Sequence, residues 1–270
     1  MTERAVTRGV RAGSARRRII GVIALGALAV GALSACRTEA GAASFVGNTK
    51  ISESFVDNVA ASVPAAAQIP KDQVRALAVD YQTFNVLAAK LAKDKGWGTA
   101  TASADEVQQF GQQLGLSAGA AQDNAFIQVL TQADAWKSLL ASKVTPAKPT
   151  PDAERQVYDN LVASQAVDPS TPFASVQGQI AQIQVFPQAM GLQNELEKAA
   201  KTYDVSINPR YAQPCTDASK VTSATCSAFE IPLLQIQGQS GQAIPALYLR
   251  IGENGPGVID QVQASPAASS

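Results

Sequence analysis

The side chains that carry most protein chemistry are scarce in this chain, which has 270 residues, three cysteines and no histidine. Histidine is the usual proton shuttle near neutral pH and the commonest imidazole ligand. Its absence excludes Ser-His-Asp and Cys-His catalysis and any His-ligated zinc site. Carboxylate-only chemistry passes that filter, and Asp105-Glu106 and Glu195/Glu197 are the visible acid pairs. Helix capping and solvated helix faces account for both. No catalytic residue and no metal ligand is therefore assigned, no cofactor is expected, and the chain is not expected to be an enzyme. Of the cysteines, Cys215 and Cys226 are separated by ten residues rich in Ser, Thr and Asp. In an exported protein a disulfide is the natural expectation for such a pair, and closing that loop would stabilise by about 3 kcal/mol. Two free thiols and a redox pair are the alternatives, the second at odds with a spacing far from C-x-x-C.

Cys36 stands apart because of what precedes it. Residues 19–35 form an uncharged stretch of 17 residues behind Arg16-Arg17-Arg18. A basic segment, an apolar segment and small residues before a cleavage point make a secretory signal. The stretch ends in Leu33-Ser34-Ala35-Cys36, which resembles the lipobox of bacterial lipoproteins. That resemblance implies cleavage before Cys36 and a diacylglyceryl lipid on its sulfur. Two acyl chains, at about 0.8 kcal/mol per CH₂, suffice for stable anchoring where one is marginal. A retained transmembrane anchor is the alternative, but 17 residues with three glycines is short for a span. The triple arginine also suggests twin-arginine export, although Ile19-Ile20-Gly21 matches that pattern weakly. The expected location is outside the cell membrane, lipid-anchored to its extracytoplasmic face.

Charge agrees with this division. Residues 1–35 carry six arginines and one glutamate; residues 36–270 carry 16 basic and 21 acidic side chains, a net of −5. A mildly acidic domain argues against nucleic acid as a partner. After a short tether, residues 36–42, the domain would work close to the lipid, since seven residues reach at most about 25 Å.

The elements that must position any site are mostly helices. Phe45-Val46, Gly47-Asn48 and Lys50-Ile51 predict a short hairpin with a Gly-Asn turn. Ser52 caps a helix carrying Phe55, Val56 and Val59. Val74, Leu77, Ala78, Tyr81, Phe84, Leu87, Ala88 and Leu91 recur at helical spacing and predict a long helix over 71–95, stopped by Gly96. Ser103 and Glu106 form a capping-box pattern, and a further helix is expected over 120–140 through Phe126, Leu130, Ala133 and Trp136. Residues 143–150 read as a connector. Thr150-Pro151 opens a helix with Val157, Tyr158 and Leu161. Thr171-Pro172 opens a last long one, which Pro187 should kink or break. Val205 to Ile207 lie in an alternating stretch, expected to be a strand pairing with the first hairpin because a lone hairpin is marginal. Leu234, Ile236, Leu247, Leu249 and Ile251 suggest a second hairpin around a Gly-Gln-Ser-Gly turn at 238–241, with Pro232 and Pro245 as irregularities. The Ser/Ala/Pro tail, residues 261–270, is expected to be disordered. The fold class is thus mainly α with a small β-sheet: an α+β domain over 43–211, followed by an extension over 212–260.

Three segments in this order resemble the N-terminal domain of SurA-type extracytoplasmic chaperones and related lipoprotein foldases. They are the opening Ala43 to Ser52 hairpin segment, the helix start Thr150-Pro151-Asp152-Ala153-Glu154 running to Tyr158, and the closing Val205-Ser206-Ile207-Asn208-Pro209-Arg210-Tyr211. Ala212 departs from the glycine usual in the family. The family's inserted prolyl isomerase domain, which uses paired histidines, has no room between Tyr158 and Phe173. The resemblance therefore implies a chaperone scaffold without the isomerase, with unfolded or extended exported polypeptides as partners. An adaptor lipoprotein binding one envelope protein is the alternative. It also implies an apolar groove between helices, for which Tyr81, Phe84, Phe110, Phe126 and Trp136 are candidate contacts. Aromatic residues at helical spacing are equally the mark of a core. Trp97, between Gly96 and Gly98, is either a lid on the core or an exposed contact. Asn208-Pro209-Arg210-Tyr211 reads as a strand end and turn, not a sorting signal.

Overall fold

The computed structural model describes residues 40–211, 229–237 and 243–251. All lie in the unit Cys36–Ser270; the other unit is Met1–Ala35. The signal segment, Cys36, the 238–241 turn and the 261–270 tail lie outside the described residues.

The first hairpin follows from its turn. β1 (Ala42–Val46) and β2 (Thr49–Ser52) pair antiparallel with Val46 opposite Thr49. Gly47 between them has φ 60°, a conformation a Cβ would penalise. β3 (Val205–Ile207) pairs antiparallel with β1, Phe45 opposite Ser206, giving the order β2-β1-β3. Every residue of β1 is buried, as a strand flanked on both edges and covered by helices must be. The polar Ser44 in it is satisfied by the Thr83 hydroxyl at 2.7 Å.

The helices begin and end where local chemistry allows. Ser52 accepts the Phe55 N–H and opens α1 (Glu53–Ser62). α2 (Lys71–Lys95) spans the domain and stops at Gly96 in the left-handed region, φ 66°. The Ser103/Glu106 capping box opens α3 (Ala104–Gln113). The single helix expected over 120–140 is two: α4 (Ala118–Gln122) and α5 (Ala125–Lys143). Asn124 causes the break. Its Oδ1 accepts the Phe126 and Ile127 N–H groups while its Nδ2 donates to the Ser62 carbonyl at 2.6 Å. An asparagine so used is a cap and no longer a helix interior.

α6 (Pro151–Ala163) starts from the Thr150 cap. The last helical stretch divides into α7 (Phe173–Ala181) and α8 (Phe186–Thr202), with Pro187 in the first turn of α8, where no N–H is needed. The 143–150 connector is strapped to that turn by the Ala147 N–H on the Pro187 carbonyl, 2.8 Å. Gly191 permits this approach: a Cβ there would stand 2.2 Å from the Thr145 carbonyl oxygen.

β4 (Phe229–Gln237) and β5 (Ala243–Ile251) form the second sheet. Pro232 and Pro245 sit within it because a two-stranded ribbon leaves each strand an open edge, and the pairing shifts register next to Pro232. Two hydrophobic clusters fill the domain. The larger joins the first sheet with α1, α2, α5 and the later part of α8; the smaller joins α6, α7 and the start of α8. The second hairpin belongs to both, with Ile231 and Leu249 in the first and Leu234, Ile244 and Leu247 in the second. The segment expected as an appended extension thus supplies core. The result is a mainly helical domain with two small antiparallel sheets.

Candidate functional site

An open groove of about 550 Å³ runs between α2 and α5, floored towards α1 and β2. Gln82, Asn85, Val86, Ala89, Lys90 and Lys93 supply one wall. Their spacing of three and four residues places them on one face of α2. Gln128, Val129 and Gln132 of α5 supply the other wall, and Phe55 and Thr49 the floor. The two helices are tied beneath it: the Asn85 Nδ2 donates to the Val129 carbonyl at 3.1 Å. That bond also orients the amide, whose Oδ1 is left buried without a partner. Gln128 and Gln132 are held in turn by donating to the carbonyls of Gln122 (2.6 Å) and Ala100 (2.9 Å). The lining contains two lysines and no acid. Its volume falls in the range of ligand pockets, about 300–1,000 Å³.

The aromatic residues expected to contact a ligand do not line this groove. Phe84, Phe126 and Trp136 are 0%, 3% and 7% exposed and belong to the main core. Tyr81 is partly buried against that core, its hydroxyl pushed towards the neutral form by burial and by Asp134. Phe110 is half-buried on α3. Trp97 settles as a lid, packed on the core with the Lys95 ammonium 5.8 Å from its ring centre. The six are spread over four segments and form no common surface. What was missed is a series on α2 offset by one or two positions from Phe84. It alternates Gln, Asn, Val, Ala and Lys, and this weakly apolar stripe is the only sequence signal of the groove.

Two polar clusters sit elsewhere on α2. Near its start, Arg75 reaches Asp57 and Glu53 of α1 and donates to the Tyr211 hydroxyl at 2.9 Å. Arg210 pairs with Glu53 and donates to the same hydroxyl at 3.0 Å, while Tyr211 donates to Glu53. Burial and the Glu53 bond raise the Tyr211 pKa. Pro209–Tyr211 is a 3₁₀ turn, and the Arg210 and Tyr211 side chains clasp it to α1 and α2. Further along, Asp80 is 2% exposed. It accepts the Glu230 backbone N–H of β4, and its Oδ1 has no partner. Burial, and then the Glu230 charge, push its carboxyl well above the usual carboxylate range. Glu230 faces its cross-strand partner Arg250, whose Nε lies 3.0 Å from the carboxylate without hydrogen-bond alignment.

The expected Cys215–Cys226 disulfide is corrected. No two of the three cysteines stand at disulfide distance, and both residues lie outside the described segments. A bridge needs Cα atoms within about 7 Å, and nearness in sequence across ten intervening residues does not secure that. Among the described residues, no helix is long and apolar enough to cross a membrane. No family model matches the chain, and neither the curated proteins nor the solved structures contain a match to it.

Proposed function

We propose that this chain is a lipid-anchored extracytoplasmic binding module, chaperone-like and without a catalytic centre, that holds extended segments of exported polypeptides. The observation that carries the reading is the open groove between α2 and α5, with Phe55, Val86 and Ala89 as its apolar surface and glutamine amides on both rims. An extended peptide needs that combination: apolar patches for side chains and polar groups for a backbone left without a sheet partner. The signal segment and Cys36 lipobox support placement at the extracytoplasmic face of the cell membrane. The segments that resemble SurA-type chaperones support a chaperone scaffold lacking the isomerase.

The test is a client panel. The full chain should suppress aggregation of several unrelated unfolded proteins, and Ala89→Trp, which fills the groove, should abolish the effect. Suppression unchanged in that variant removes the groove from the reading. No suppression of any client, with one stable co-purifying envelope protein, replaces the reading with the adaptor. Cys36→Ala should leave an uncleaved precursor or a released protein; normal processing with full membrane retention would refute the anchor.

A further inference from the structure

The groove is electrostatically odd for the molecule that carries it. Residues 36–270 have a net charge of −5, with 16 basic and 21 acidic side chains. The groove lining nonetheless holds Lys90 and Lys93 and not one Asp or Glu. Both lysines lie at one end of the α2 wall, and the apolar positions Val86 and Ala89 precede them. Lys93 is exposed and has no ion-pair partner among the described residues. Lys90 stands 5.3 Å from the centre of the Tyr203 ring, a ring that its hydroxyl fixes to Asp94. The Tyr203 hydroxyl is pushed up to about 12 by that bond, so the ring stays a neutral platform beside the lysine.

The lengths then define a ligand. From Gln82 to Lys93 the wall is roughly 16 Å long at about 1.5 Å per residue, which matches about five residues of extended chain. From the centre of the apolar patch to Lys93 is roughly 8 Å, or two to three extended residues.

Building on the groove reading above, we propose that the site selects extended segments in which an apolar residue is followed, two to three positions along the groove, by an acidic side chain. The apolar residue sits on Phe55, Val86 and Ala89. The carboxylate sits between Lys90 and Lys93. The occupant is an internal stretch of an unfolded chain, since the groove is open. Basic segments are rejected at the same end by like charge.

Fluorescence anisotropy on the full chain in detergent micelles tests this. The probes are short labelled peptides with a central leucine pair, followed by Asp-Glu, by Asn-Gln or by Lys-Lys. The acidic peptide should bind about tenfold tighter than the neutral one, a difference two partly exposed charge contacts can supply. Its advantage should shrink as salt shortens the screening length. Lys93→Glu with Lys90→Gln should remove the preference for the acidic over the neutral peptide; a preference that survives in that variant overturns the charge selection. Equal affinity for the acidic and neutral peptides in the unsubstituted chain overturns the charge selection and leaves the groove reading standing. Absence of binding by every peptide overturns both.

Discussion

Two polar joints fasten late segments of the chain onto α2, and they are built in opposite ways. The joint at Arg75 gathers two carboxylates, two guanidinium groups and a phenol, partly open to water, with Arg75 and Glu53 side chains 21% and 16% exposed. Nearly every charge there meets an opposite one. The joint at Asp80 is almost dry and sets one carboxyl against a strand that brings a second, Glu230, which pairs across the hairpin with Arg250. The first clasps the 209–211 turn; the second lies where β4 crosses α2. Charge pairing stabilises when both partners are present and bonded, and a buried carboxyl short of partners opposes docking instead. The same helix therefore holds one segment by charge and the other by apolar contact in spite of charge.

The largest expected effect comes from breaking the first joint. Arg75→Ala takes the ion-pair partner from Asp57 and leaves Glu53 with Arg210 and the Tyr211 hydroxyl alone, and should cost about 2 kcal/mol in urea unfolding. A loss under about 0.5 kcal/mol would mark the joint as a solvated surface pair. Tyr211→Phe removes one hydroxyl that donates to Glu53 and accepts from both arginines. It should cost about 1–1.5 kcal/mol, with the helical circular dichroism of the folded state unchanged.

The second joint should respond with the opposite sign. The raised Asp80 pKa means that the folded state keeps a proton the unfolded state releases. Asp80 therefore costs nothing well below its ordinary pKa, and its penalty grows as pH rises from there through the folded value. Asp80→Asn keeps an acceptor for the Glu230 N–H and removes the charge. It should raise the thermal midpoint at pH 8, by about 1 kcal/mol of stability or roughly 2–4 °C for a domain of this size, and the gain should fade towards pH 4. A variant less stable than the parent at pH 8 would show that the carboxylate is paired and favourable. Tyr81, Tyr248, Asp134, Lys137 and Arg250 face the same region and are left in place by this substitution.

The two joints also differ in how far the sequence announces them. Arg210 and Tyr211 follow Asn208-Pro209 at a point already marked as a strand end, and Glu53 lies in a capped first turn. A turn with charged side chains beside a helix start is a recognisable place for a clasp, although its partners are not. Nothing local distinguishes Asp80, an acid within a helical stripe. It is buried because β4, some 150 residues later, covers that face of α2.

What this sequence decided alone is what short-range chemistry can decide. Gly47 permits the first turn, Ser52, Ser103 and Thr150 cap their helices, Gly96 stops α2, and Pro187 separates α7 from α8. Each acts through backbone groups a few residues away, so no distant contact can reverse it. Asn124 belongs to the same class, but an apolar period running through it masks the cap in the sequence. Tertiary structure decided the rest. Phe84, Phe126 and Trp136 share helical spacing with the groove residues, and only the packing of α5 on α2 puts them inside and Val86 and Ala89 outside. The second hairpin became core because α6 and α8 left a face for its second half to cover. Spacing alone could pair Cys215 with Cys226, but a disulfide depends on backbone geometry that ten intervening residues do not specify. Periodicity tells which residues share a face; which face meets water is settled by the partners that arrive from elsewhere in the chain.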